Sequence, residues 1–550
     1  MGNVNSSFGV EIECVIAVQR GFGTRPRPRM FQDAPGSPIL ADIDDDDWMF
    51  SSHGPIFATI ESCIEEALAD KVGDRVITSE AQLDDQNFYH LSKYARKWVV
   101  KRDSSVSLED SYFVDDPVMG DYTWIDIEFN SPALRATEAS FDEIRRVVNA
   151  LREAFWMIAP KSAGLHVHYG RCESWISLTD LRRIAALLFA ADPILTQMHP
   201  AHRRGEESRW CMSNRLYSNL ALGMPAREAE AYLRHTNRDV PDELEPEPIP
   251  GPVASHAEPV SRPVRERENG FISIFERGCL EGYTFDRDRF ITNAWWWMED
   301  KDGVPGSEEG KPLDIILAAR ELLGCRAAPI LAFLMQNGWH SRMAYNFNAY
   351  EYGVYRNWVM ANGRPDPVSQ TKRTIEFRQA AGTVDPDEII AHAKIVIRLC
   401  EFATQTTMKE LWKTISDLHL GETNWDWYDV FDFLVDLNLV DEAKVIQRQL
   451  AKEWGVEIVD EALGLYRYPD GAEPEPVPEQ AKSLLGKLKA LWSSWRSSKP
   501  PSPKPGPRPA QNVSPRRILK ESEGRYEGSS YLSPDLLWLE LGTEGPVLPE

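Results

Sequence analysis

Three observations in this 550-residue sequence predict an α+β fold. Helical and strand-like periodicities follow one another without the strict βαβα rhythm of a doubly wound sheet. Four short strand-like segments each carry a pair of charged or imidazole side chains at i and i+2, with apolar residues between them. Hydrophobic residues make up 42% of the chain, with 18 Trp, enough apolar material for a large core.

The strands come first, because residues two apart in a strand share a face. FGVEIECVI sends Glu11 and Glu13 one way, and TWIDIEFNSP does the same with Asp126 and Glu128. GLHVHYG presents His166 and His168, and RTIEFRQ presents Glu376 and Arg378. Their other faces carry Val10, Ile12, Ile127, Val167, Ile375 and Phe377. If the four strands join one sheet, its back packs on the core. Its front collects five carboxylates, two imidazoles and a guanidinium.

Helices are expected between them. Residues 141–158 place Ile144, Val147, Val148, Leu151 and Phe155 on one face. Residues 178–191 and 386–403 are similar, the latter opened by Asp385-Pro386-Asp387-Glu388, a good helix start. A catalytic domain is expected over 1–423, with a proline-rich disordered insertion at 236–269. A helical C-terminal extension follows over 424–468. Residues 469–550 read as a disordered, polyproline-like tail with a short basic amphipathic helix near 482–496.

The formal net charge of −24 excludes a nucleic-acid partner, which needs a basic footprint. The seven cysteines are scattered without a CxxC pair, so neither a disulfide framework nor a structural zinc site is expected. No apolar run approaches the roughly 20 residues of a membrane span, and the N-terminus lacks an apolar signal core. A cytoplasmic protein is expected. Gly2 with Ser6 fits a myristoylation pattern, which with the basic helix near 482–496 would give at most a weak, reversible membrane contact.

Clustered carboxylates repel one another unless a cation intervenes. A set rich in oxygen and poor in nitrogen suits Mg²⁺ or Mn²⁺ better than zinc. Such ions neutralise a triphosphate during phosphoryl transfer, and Arg378 can clamp a phosphate or carboxylate oxygen. Neither a Walker A loop nor a GxGxxG turn opening a helix is present.

The order GVEIE, Asp103-x-Ser105, IEFNSP, GLHVH and TIEFRQ resembles the amidoligase family common in fungi, over roughly residues 8–404. That family is related to glutamine synthetase and glutamate–cysteine ligase, the carboxylate–amine ligases. The resemblance implies a glutamine-synthetase-like fold, with a mainly antiparallel sheet, a polar metal-binding face and helices on the other face. It implies an ATP- and Mg²⁺- (or Mn²⁺-) dependent, ADP-forming ligase acting through an acyl phosphate. The partners would be a small-molecule or peptide carboxylate and an amine.

By position, Glu11 and Glu13 resemble the strand that binds both metals, and Glu128 a further metal-facing carboxylate. Glu376 resembles the glutamate near the γ-phosphate, and one of His166 and His168 the metal-binding histidine. Arg378 resembles the arginine on phosphate or substrate carboxylate. Glu128, Glu376 and Arg378 are thus expected at the chemistry, whereas Asp126 serves the site or merely the sheet. Arg203, Arg204 and Arg209 form a local basic cluster, with Arg203 a candidate nucleotide contact. Tyr345 and Asn346 fall where the family tends to keep an Asn near the pocket. A non-catalytic scaffold and a metal-dependent hydrolase built on His166 and His168 are the competing readings.

Overall fold

A computed structural model describes residues 6–21, 23–41, 55–72, 76–77, 97–172, 174–204, 210–235, 271, 312–336, 342–351, 373–422, 428–460 and 465–467. The insertion at 236–269, the tail at 469–550, Gly2 and Arg209 lie outside the described residues. The chain divides into Met1–Arg467 and Tyr468–Glu550; the fold below is that of the first unit.

Its axis is β1 (Ser7–Arg20), a 14-residue strand that is buried almost throughout. In chain order there follow β2 (Ile39–Ala41), β3 (Val76–Ile77), β4 (Trp98–Lys101), β5 (Thr123–Asn130), β6 (Leu134–Arg135), β7 (Met157–Ile158) and β8 (Gly164–Gly170). After them come β9 (Tyr345–Asn346) and β10 (Thr374–Ala381). Among the described residues these ten strands make one sheet of order β3-β4-β5-β1-β8-β10-β9, with β2, β6 and β7 also pairing with β1. The pairings of β1 with β5 and β8, and of β8 with β10, are antiparallel; β3–β4 and β1–β2 are parallel. The fold is mixed helix and mainly antiparallel sheet, consistent with the α+β class that the periodicities predict.

One face of the sheet packs on helices. Val10, Ile12, Cys14 and Ile16 of β1, Ile127 and Phe129 of β5, Leu165 and Val167 of β8, and Ile375 and Phe377 of β10 all belong to the main core. Against them lie α1 (Pro55–Val72), α2 (Glu138–Ala154), α3 (Leu178–Leu195) and α5 (Pro386–Gln405), while α4 (Ile315–Gly324) packs on α3. Asp385 caps α5 by accepting from the Asp387 and Glu388 amides, as its sequence suggests. The helix expected over 141–158 ends at Ala154. Phe155 turns extended, and Met157–Ile158 pair with Ile16 and Val15 of β1. The long edge of β1 thus claims residues whose helical periodicity runs on.

The segment after 424 joins the same core. α6 (Met408–Gly421) precedes it; α7 (Val430–Asp436) and α8 (Val440–Glu453) bury Phe431, Phe433, Leu434, Ile446 and Leu450 there. β11 (Glu457–Asp460) and β12 (Leu465–Arg467) pair antiparallel.

The other face of the sheet is divided. Beyond Glu13, β1 presents Val15 and Ala17 to a separate cluster of Phe31, Val106, Met119, Tyr122, Trp156 and Ala163. Phe31 stacks on Trp156 with centroids 5.1 Å apart. This apolar wall borders the Glu11–Glu13 end of the face, with Asp126 opposite Val15 at the boundary. Among the described residues no helix is long and apolar enough to cross a membrane.

Candidate metal and phosphate site

Register brings the polar pairs together. Glu13 lies opposite Glu128 across β1–β5, Glu11 opposite His166 across β1–β8, and His168 opposite Glu376 across β8–β10. Paired residues of antiparallel strands share a face, so the four strands present one continuous row. Glu11, Glu13, Glu128 and His166 are buried in it.

The ligand atoms fall into two groups. In one, oxygens of Glu13, Asp103 and Glu128 lie within 4.8 Å of one another. In the other, Glu11, His168 and Glu376 do so. His166 lies between them, its Nδ1 3.2 Å from Glu11 Oε2 and its Nε2 3.4 Å from Glu13 Oε1. Of the two imidazoles, His168 belongs to a group that could hold an ion, whereas His166 bridges the two groups.

Asp126 stands apart: Arg102 takes both its oxygens, with Nε 3.2 Å from Oδ2. The fifth carboxylate of the cluster is Asp103, from the loop after β4. Ser105 donates to its Oδ1 through both N–H (2.9 Å) and hydroxyl (2.7 Å). The loop is pinned across the face by Ser162, whose hydroxyl accepts from the Ser107 amide and donates to the Ser107 carbonyl, each at 2.9 Å.

Each ligand has a support. Glu13 Oε2 accepts from the Gly164 amide at 2.6 Å. His168 Nδ1 meets the Thr374 hydroxyl at 3.0 Å, which turns Nε2 toward Glu11 Oε1 at 3.0 Å. Such outer partners fix ring orientation and tautomer. Asn346 donates to Glu376 Oε2 at 2.8 Å, and Arg378 bonds Glu376 Oε1 and, through Nε, the Trp210 carbonyl at 3.2 Å. The Arg342 guanidinium lies 3.7 Å over the Trp210 ring.

Arg203 arrives by another route. β10 shifts register between Phe377 and Ala380, and the Arg378 and Gln379 carbonyls at this bulge accept from Arg203 Nη2 (2.7 Å) and Nε (3.4 Å). Arg203, a residue only 3% exposed, thus holds the bulge that carries Arg378. Arg204 is buried and bonds the His199 carbonyl.

Electrostatics follow from burial. Desolvation, reinforced by Asp103 and Glu128, raises Glu13 from 4.5 to about 8. Burial also raises Glu128, against the Lys101 charge. Burial and Arg378 push His166 down to about 4, against Glu11 and Glu376, so it is neutral near pH 7. Burial alone would raise Glu376, but Arg378 and His168 bring it down to about 2.

Lys101 and Asp103 complete a cluster that the four-strand pattern leaves short. Lys101 faces Glu128 across β4–β5, with Nζ 3.0 Å from Oε1. Asp103 is legible only as part of the Asp-x-Ser element, and Lys101 is concealed by Trp98, Val99 and Val100, whose unbroken apolar run shows no alternation.

The donor set fits divalent ions. Glu128 Oε1 and His168 Nε2 are buried, and among the described residues each meets only a potentially charged neighbour, 3.0 Å away. Five carboxylates against Lys101 and Arg378 leave a formal excess of three negative charges. Oxygen dominates both groups, which suits Mg²⁺ or Mn²⁺.

A family model described as "Putative amidoligase enzyme" matches residues 5–219. The match takes in β1, β5 and β8 and stops before β10, so Glu376 and Arg378 are placed by geometry. No curated protein and no solved structure matches the chain.

Proposed function

From a chain whose residues 5–219 belong to the amidoligase family, we propose an ATP-dependent, ADP-forming ligase. It joins a carboxylate to an amine through an acyl phosphate, on a glutamine-synthetase-like fold, in the cytoplasm. The observation that supports this most is the pair of oxygen-rich ligand groups side by side on one sheet face, with Arg378 beside them.

Glu13, Asp103 and Glu128 would hold one Mg²⁺ or Mn²⁺, and Glu11, His168 and Glu376 a second. Bound there, such ions neutralise the charge of a triphosphate and of the transferring phosphoryl group. His166, neutral and hydrogen-bonded to Glu11, keeps the two groups apart at a fixed spacing. Arg378, held by Glu376 and the Trp210 carbonyl, turns its guanidinium to a phosphate or carboxylate oxygen. Arg203 sustains that placement through the β10 bulge.

A carboxylate oxygen of the acid attacks the γ-phosphorus, the bond to the β-phosphate oxygen breaks, and ADP leaves. The amine nitrogen then attacks the acyl carbon, phosphate departs, and the nitrogen loses a proton. The acid is a small molecule or a peptide. A zinc hydrolase is disfavoured, because one imidazole rather than two stands among the ligands and carboxylates outnumber it. A scaffold is disfavoured because both ligand groups are complete.

The test is a product screen of the full chain with ATP, Mg²⁺ and panels of acids and amines. ADP and phosphate are expected when acid and amine are both present, and slowly with the acid alone. AMP and pyrophosphate would sink the acyl-phosphate route in favour of adenylation.

A further inference from the structure

Lys101 ends β4 and shares the ligand face, with Glu128 as its direct cross-strand partner and Glu13 beyond. Its ammonium lies 3.0 Å from Glu128 Oε1. Among the described residues no other donor meets that oxygen, and Glu128 belongs to the group with Glu13 and Asp103. The Lys101 side chain is 33% exposed and that of Glu128 6%, so the lysine stands where the cluster meets solvent. Among the described residues Glu128 is its one ion-pair partner. Arg378, at the other end of the cluster, is held by both Glu376 and the Trp210 carbonyl.

A divalent ion held through Glu128 Oε1 and this ammonium would compete for the same oxygen. Two positive charges that close repel strongly in a poorly hydrated pocket. We propose that Lys101 is a substrate-contacting residue. A cation entering the Glu13–Asp103–Glu128 pocket displaces its ammonium from Glu128, and the ammonium then binds a phosphate oxygen of the nucleotide. The inference rests on the nucleotide-dependent reading above. Two divalent ions turn the formal excess of three negative charges into one positive charge, so the loaded pocket calls for an anion. Lys101 is placed to meet it: its four-carbon stem is flexible, and lysine binds phosphate as a mobile point charge.

The competing account is a cross-strand ion pair that only steadies the sheet edge. Full-length K101M and K101Q separate the two; Met matches the stem, and Gln suits the exposed edge, so either variant serves if the other folds poorly. Free Mn²⁺, followed by electron paramagnetic resonance, should show about tenfold tighter binding once the competing charge is gone. At saturating Mn²⁺, a non-hydrolysable ATP analogue should bind about tenfold or more weakly by calorimetry, because a charge-assisted contact is lost. K101R should recover most of that affinity. Unchanged analogue affinity in K101M, or unchanged or weaker Mn²⁺ binding, overturns the role of Lys101 and leaves the nucleotide reading standing. A wild-type chain that binds Mn²⁺ but no analogue removes the nucleotide reading, and this proposal with it.

Discussion

Replacing Glu13 with Gln keeps the shape of the side chain and removes a charge that the fold holds at a cost. Glu13 is 4% exposed, and burial with the Asp103 and Glu128 charges raises its carboxyl from 4.5 to about 8. Between those values the folded chain holds a proton that the unfolded chain has released. Stability therefore falls as pH rises through that window and levels off above it. At about 1.4 kcal/mol per pH unit, the loss by pH 8 is on the order of 4 kcal/mol. The assay is urea unfolding of wild type and E13Q in EDTA from pH 5 to pH 8. E13Q should match wild type at pH 5 and exceed it progressively toward pH 8. Saturating Mn²⁺ should reverse the order, because binding to the folded state stabilises the wild type more. A constant offset between the two proteins across pH, or equal stabilisation of both by Mn²⁺, would refute the reasoning.

Thr374→Val removes the hydroxyl that holds His168 Nδ1; Mn²⁺ binding should weaken about tenfold with little change in unfolding midpoint, read by a Mn²⁺ titration. Gly164→Ala places a Cβ 2.9 Å from both Arg203 Nη2 and His166 Nε2. Mn²⁺ binding should fall and the chain should lose on the order of 1–3 kcal/mol by urea unfolding. Asp126→Asn breaks a pair with the partly exposed Arg102; Mn²⁺ affinity should stay at the wild-type value, and a clear drop would return Asp126 to the ligand set.

The site was legible where alternation carries it. In GVEIE, GLHVH and TIEFRQ the period of two is unbroken, so the pairs Glu11/Glu13, His166/His168 and Glu376/Arg378 could be assigned to one face before any pairing was known. Asp126 and Glu128 share a face as well, but the face does not tell which of them finds an arginine: Arg102 claims Asp126, and Asp103 takes the place among the carboxylates. Asp103 lies on a loop, where no period applies and a tertiary tie, Ser162 to Ser107, decides the position. Arg203 was visible as a cation, yet its contacts depend on a bulge in β10 that no local pattern announces. The helix over 141–158 was overrun for a related reason: Phe155 continues the apolar stripe, whereas pairing with β1 ends the helix.

The central claim is that the carboxylate of the acid is itself phosphorylated. Once the product screen has identified an acid, that acid is supplied with ¹⁸O in its carboxylate, together with ATP, Mg²⁺ and the amine, and the released phosphate is weighed by mass spectrometry. An acyl phosphate predicts one ¹⁸O atom in the phosphate for each amide formed. Amide formation with unlabelled phosphate, or with the label in AMP, would contradict it.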